Sequence, residues 1–72
     1  MSVARVTEIS VSSNESFDAA IQEGIERATR TLRNVRSAWV KEMRVGIDNN
    51  RISEYQVNLL VTFVLDDGPD QG

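Results

Sequence analysis

Two side chains stand out for what they can bind. Trp39, the only tryptophan among 72 residues, offers a flat apolar platform on which an aromatic ring stacks. Gln56 carries a donor and an acceptor together, which suits the polar edge of a heterocycle such as a pyrimidine-like ring. Both residue types also have plainer uses. A tryptophan on a small sheet more often closes an interface or a core, and a glutamine beside Tyr55 is an ordinary polar strand residue. For catalysis the sequence is poor. It has no histidine and no cysteine, which removes imidazole bases, thiolate nucleophiles and the usual zinc ligands. No glycine-rich phosphate loop and no G-x-S-x-G elbow occurs. Glu8, Glu23, Glu26, Glu42 and Glu54 show no spacing of a paired acid and base, so the chain is expected not to be an enzyme.

The elements that must position Trp39 and Gln56 are legible. A first strand over about 4–11 is rich in β-branched residues and runs into the polar cluster Ser12-Ser13-Asn14-Glu15-Ser16. Ser12 and Glu15 have capping-box spacing for the helix that follows. Phe17, Ala20, Ile21, Gly24, Ile25, Ala28, Leu32 and Val35 recur at three- and four-residue steps, one apolar stripe on a helix of about five turns. Gly24 interrupts it at a cost of ~1 kcal/mol against alanine, which marks the closest approach of a strand or a second subunit. A second strand is expected over about 37–47, a tight turn at Asp48-Asn49-Asn50-Arg51, and a third strand over about 52–65 with clean alternation. The fold class is therefore α+β: a β-α-β-β unit whose three-stranded antiparallel sheet, in order 1-3-2, packs on one helix.

Pairing Ile47 with Ile52 across the turn fixes which residues share a face. Val45 then opposes Glu54, Met43 opposes Gln56, Lys41 opposes Asn58 and Trp39 opposes Leu60. The other face joins Ala38, Val40, Glu42 and Arg44 to the Tyr55-to-Leu65 series and suits the helix stripe. The uncovered face is mixed, with Trp39, Met43, Val45, Ile47, Ile52, Leu60 and Val64 among polar groups. One helix cannot cover both faces, so this one is expected to be an interface or a binding wall. The third strand spans ~45 Å at about 3.3 Å per residue and the helix ~30 Å at 1.5 Å per residue. Part of the hairpin should overhang its own helix and meet a neighbour.

Composition points the same way. A chain this short buries only ~60% of the surface its unfolded form exposes. Without cysteine for disulfides or thiolate metal sites, self-association into a homo-oligomer is the expected stabiliser. The net charge of −3 argues against non-specific nucleic-acid binding. Arg27, Arg30, Arg33 and Arg36 fall at three-residue steps and read as a solvated stripe on the helix. No segment approaches the ~18 apolar residues of a membrane span, and Met1-Ser2-Val3-Ala4-Arg5 shows no apolar leader, so a cytoplasmic location is expected. Residues 1–65 read as a single domain, and 66–72, Asp66-Asp67-Gly68-Pro69-Asp70-Gln71-Gly72, as a flexible acidic tail.

An ordered set of short stretches resembles one known family. Val3-Ala4-Arg5-Val6-Thr7-Glu8-Ile9 carries it, with Phe17-Asp18-Ala19-Ala20-Ile21, Arg27-Ala28-Thr29-Arg30-Thr31-Leu32-Arg33-Asn34-Val35 and Val40-Lys41-Glu42. Glu54-Tyr55-Gln56-Val57 and Val61-Thr62-Phe63-Val64-Leu65 complete it. Together they resemble the dodecins, small flavoproteins of bacteria and archaea, over nearly the whole chain. The resemblance implies a hollow homododecamer of cubic 23 symmetry that binds riboflavin or FMN in pairs between subunits. A tryptophan would sandwich the flavin rings and a glutamine, here Gln56, would bond the pyrimidine edge. The implied role is flavin storage and buffering, without turnover. The resemblance puts the flavin tryptophan at the position of Ser37, whereas this chain has Trp39, a shift that keeps the face but moves the ring ~6.5 Å along the strand. Some dodecin-like proteins lack that tryptophan and bind calcium instead. Asp48, Asn49, Asn50, Asp66, Asp67 and Asp70 carry hard oxygen ligands for such a cation.

Overall fold

The computed structural model describes residues 3–65, so the expected acidic tail lies outside the described residues. The elements are β1 (Ala4–Ser13), α1 (Phe17–Thr31), β2 (Val35–Asp48) and β3 (Arg51–Val64). They form one sheet in the order β1-β3-β2, with both pairings antiparallel. The strand with the most buried apolar residues thus sits in the centre, as its alternation requires.

The helix presents its smallest residues to the sheet. Ala20, Gly24 and Ala28, one turn apart in succession, are its buried positions, and they meet Val57, Leu59 and Val61 of β3, each at most 1% exposed. Small side chains let the two backbones close up, and larger ones (Ile9, Val11, Ile21, Ile25) seal the flanks. Gly24 is where the approach is tightest. A Cβ there would lie 2.6 Å from Val11 Cγ2 and 3.1 Å from Leu59 Cδ1, so the glycine answers to the chain's own strands. Phe17 and Tyr55 close the N-terminal end of this core, edge to face with centroids 5.1 Å apart.

Both helix ends differ from expectation. Ser16, not Ser12, is the N-cap, its hydroxyl accepting from Ala19 N–H at 3.0 Å. Ser12 is still in β1, and Ser13 Oγ accepts instead from Glu15 N–H within the connecting turn. At the other end α1 stops at Thr31, just over four turns, because the chain reverses at Asn34, which takes φ = 62°. Asparagine tolerates that left-handed conformation. Its carbonyl accepts from Val64 N–H and its Nδ2 donates to the Val64 carbonyl, tying the reversal to the end of β3. Val35 therefore belongs to β2, and of the four spaced arginines only Arg27 and Arg30 are helical.

The hairpin turn has Asn49 and Asn50 both at positive φ (58° and 64°), the two-residue type I′ geometry that matches strand twist. Ile47 pairs with Ile52 as expected. Beyond that the register slips twice and recovers. Gly46 faces Glu54, leaving Ser53 as an extra residue on β3, and Lys41 is an extra residue on β2 between Val40 and Glu42. Between these bulges every β2 side chain changes face relative to a straight count. Met43 opposes Val57 and Val45 opposes Tyr55 on the helix side, while Arg44 opposes Gln56 and Glu42 opposes Asn58 on the open side. Past Lys41 the count is restored, and Trp39 opposes Leu60. A third bulge, at Arg36, ends the strand's regular pairing.

Candidate functional site

The open face of the sheet is a ladder of rows read across β1, β3 and β2. Leu60 sits between Glu8 and Trp39, Asn58 between Ser10 and Glu42, and Gln56 between Ser12 and Arg44. At the far end Thr62 lies between Val6 and Ser37. Trp39 is 71% exposed, with no element of its own subunit over the indole. Trp39 and Gln56 therefore share a face. They do not touch: their rows are four residues apart along β3, ~13 Å at strand spacing.

A polar network fills the interval. Glu8 accepts from Asn58 Nδ2 at 3.0 Å, and its carboxylate meets Lys41 Nζ at 3.2 Å and 3.4 Å. Ser10 Oγ donates to Asn58 Oδ1 at 3.4 Å. Three strands are thus cross-linked by side chains beside the indole. Lys41 reaches Glu8 because the bulge lets it lean over β3 from the edge strand. The Asn58 amide, first, and then the Lys41 ammonium stabilise the charged form of Glu8 and hold its carboxyl below the ordinary value of 4.5.

Gln56 is oriented by a partner that a straight register assigns to the other face. Arg44 Nε donates to Gln56 Oε1 at 2.6 Å. A guanidinium has only donors, so the amide must present its oxygen to Arg44 and keep its NH2 for something else. The one sequence signal for this pairing is Gly46, since a glycine inside a strand often marks a bulge. Ser37 stands on the same face one row beyond Trp39, opposite Thr62. Asp48, Asn49 and Asn50 lie at the hairpin tip, remote from these rows, while Asp66, Asp67 and Asp70 lie outside the described residues. Among the described residues no group of three or more acidic side chains is placed to hold a metal ion, and no helix is long and apolar enough to cross a membrane.

A helix half-wrapped by a 1-3-2 antiparallel sheet, with an exposed aromatic ring and an amide held by Arg44 on the uncovered side, defines a small α+β protein of β-α-β-β topology. The family model for dodecin matches residues 3–66, and the chain belongs to the dodecin family. It is 40% identical over 65 residues to a dodecin of Thermus thermophilus, covering 90% of this chain and 94% of that one. The solved dodecin from Streptomyces davaonensis is 39% identical with a TM-score of 0.86, covering 92% of this chain and 97% of the other. A calcium dodecin from Mycobacterium tuberculosis, described as having a calcium-binding site, is 28% identical with a TM-score of 0.77, covering 93% and 96%.

Proposed function

We propose that this protein stores and buffers flavin, riboflavin or FMN, as a closed homo-oligomer of the dodecin type, a homododecamer, without turning it over. The observation that carries the reading is Trp39: a lone indole, 71% exposed, on a sheet face that nothing in its own subunit covers. An exposed indole is a stacking platform waiting for a planar ring. With Gln56 Oε1 already taken by Arg44, the amide NH2 is free to donate to a ring carbonyl on a pyrimidine-like edge. Since Trp39 and Gln56 stand ~13 Å apart on one subunit, a single flavin is gripped by residues of more than one copy. Ser37, where the family resemblance places the stacking tryptophan, lines the same face and leaves room beside the shifted indole.

A second reading is a dodecin-type oligomer that holds calcium. It is favoured by Ser37 standing in the tryptophan's place and by the likeness to a calcium dodecin. Such a site would draw oxygen ligands from more than one copy. Titrating the purified protein with riboflavin and with FMN, following the flavin's own fluorescence, separates the two. Strong saturable quenching is expected. No quenching at micromolar protein overturns the flavin reading, and a calcium-dependent rise in melting temperature without quenching puts the second in its place.

A further inference from the structure

The hairpin tip and the trough between α1 and β1 each set one acidic and one basic side chain beside apolar residues, so the two are complementary in charge. β1 ends opposite Tyr55, so beyond that row the β2–β3 hairpin is a bare two-stranded ribbon reaching ~13 Å past the sheet. Its end carries the directly paired Ile47 and Ile52, 64% and 52% exposed. Next to them stand Asp48 and Arg51, opposite each other and joined by no ion pair. An isolated ribbon with an apolar end gains nothing for its own fold from that end.

The trough, ≈ 450 Å³ and open along one side, lies between the outer edge of β1 and the flank of α1. Its apolar floor is Ile9, Val11, Gly24 and Ala28, and its rim carries Glu23 and Arg27, one turn apart. No ion pair engages either rim residue among the described residues. The two edges of the sheet differ as well. β2 is interrupted by bulges at Arg36 and Lys41, which spoil an edge for pairing, whereas β1 keeps an unbroken register from Ala4 to Ser13. The receptive side of the subunit is therefore the β1 side.

We infer that the hairpin tip of one copy seats in the α1/β1 trough of the next. Ile47 and Ile52 lie over the Ile9–Val11 floor, Asp48 meets Arg27 of the trough, and Arg51 meets Glu23. The signs allow only that pairing. Because tip and trough are different surfaces, the contact is heterologous, and repeating it builds a ring when the rotation closes. This rests on the reading that the chain self-associates, and it adds where the copies join.

Charge reversal tests it. Native mass spectrometry and sedimentation over a dilution series at low salt would compare the wild type with Arg27→Glu, Asp48→Arg and the two combined. Each single reversal should raise the protomer concentration at half-dissociation by roughly three- to tenfold, since one exposed pair becomes a repulsion. The combined variant should return to within about twofold of wild type. Within one subunit these residues are far apart, so a loss caused by misfolding would not be rescued. Ile52→Asp should dissociate the assembly while circular dichroism keeps the subunit's signature. If the wild type is oligomeric and the reversals change nothing, or the combined variant is no better than either alone, the tip-in-trough contact is wrong and self-association stands. A monomeric wild type removes both.

Discussion

The two faces of β3 carry neighbouring residues with opposite fates. Leu59 is 1% exposed beneath α1, and Leu60, next in the chain, lies on the open side between Glu8 and Trp39. On the covered side β3 presents Tyr55, Val57, Leu59, Val61 and Phe63, its centre packed against alanine and glycine of the helix, so its information is spent on specifying one fold. The open face mixes an indole, an amide, a carboxylate and cations in ordered rows. A chain of this length can close only one face with its own helix, which leaves the other uncovered, with Trp39 71% exposed. Substitutions on the covered side should cost folding, and those on the open side should cost binding and assembly.

The largest effect should follow from Leu59→Ala. Truncating a fully buried leucine costs ~2–5 kcal/mol, and a domain of this size has only about 4–11 kcal/mol in all. Urea unfolding followed by circular dichroism should show a variant at or near the edge of stability. Its counterpart, Leu60→Glu, should keep the subunit's secondary structure and lose the oligomer's mass. A Leu60→Glu protein that sediments as wild type would mean that this face is not buried between copies.

Gly24→Ala sharpens the covered side. Alanine gains up to ~1 kcal/mol in helix propensity, but its Cβ would lie 2.6 Å from Val11 Cγ2, and valine cannot swing that methyl away cheaply. A net loss of ~1–3 kcal/mol is expected. Adding Val11→Ala should recover part of the Gly24 penalty in a double-mutant cycle; strict additivity would show that the contact is not the cause.

These same residues show what a sequence discloses and what it does not. Strand order 1-3-2, the Asn49-Asn50 turn and the Ile47–Ile52 pairing follow from alternation and turn chemistry, and Gly24's close approach follows from its position in the stripe. Register does not follow, because a bulge leaves the hydrophobic pattern almost intact while moving every later side chain to the other face. The extra residue at Ser53 turns Met43 and Val45 to the helix side of the sheet, where Met43 is still half-exposed, and brings Arg44 to Gln56. The extra residue at Lys41 cancels it, so Trp39 stands where a straight count puts it. Half of the candidate site is therefore legible and half is not. The helix ends fail for a local reason: Ser12, Ser13 and Ser16 all cap well, and only the length of β1 selects Ser16.

Trp39→Ala separates the two faces without touching the fold. With the indole mostly exposed, unfolding in urea should shift little for the subunit. Flavin affinity should fall by about tenfold or more, since stacking on an aromatic side chain contributes ~1–3 kcal/mol. Fluorescence quenching measures it directly, and unchanged affinity would remove Trp39 from the site. Trp39→Phe should fall between the two, because a smaller ring keeps part of the stacking area.

The smallest effect should come from Glu8→Gln. The Asn58 amide and the Lys41 ammonium favour the ionised Glu8 carboxylate in the folded state, placing its pKa below the ordinary 4.5. A group whose folded pKa is depressed binds its proton more readily when unfolded, so its contribution is complete above the ordinary carboxyl range. It is lost as pH falls through the depressed folded-state value. Because Glu8 is solvent-exposed, that contribution is screened and modest. The melting temperature of Glu8→Gln should therefore fall less steeply than that of the wild type as the pH drops from 6 to 3. The two proteins should converge at the acid end, where Glu8 itself is neutral. Salt should narrow the gap at pH 6 by weakening the Lys41 contact, while the shorter Asn58 hydrogen bond survives it. Parallel pH curves for the two proteins would mean that the network beside Trp39 orders side chains without contributing to stability.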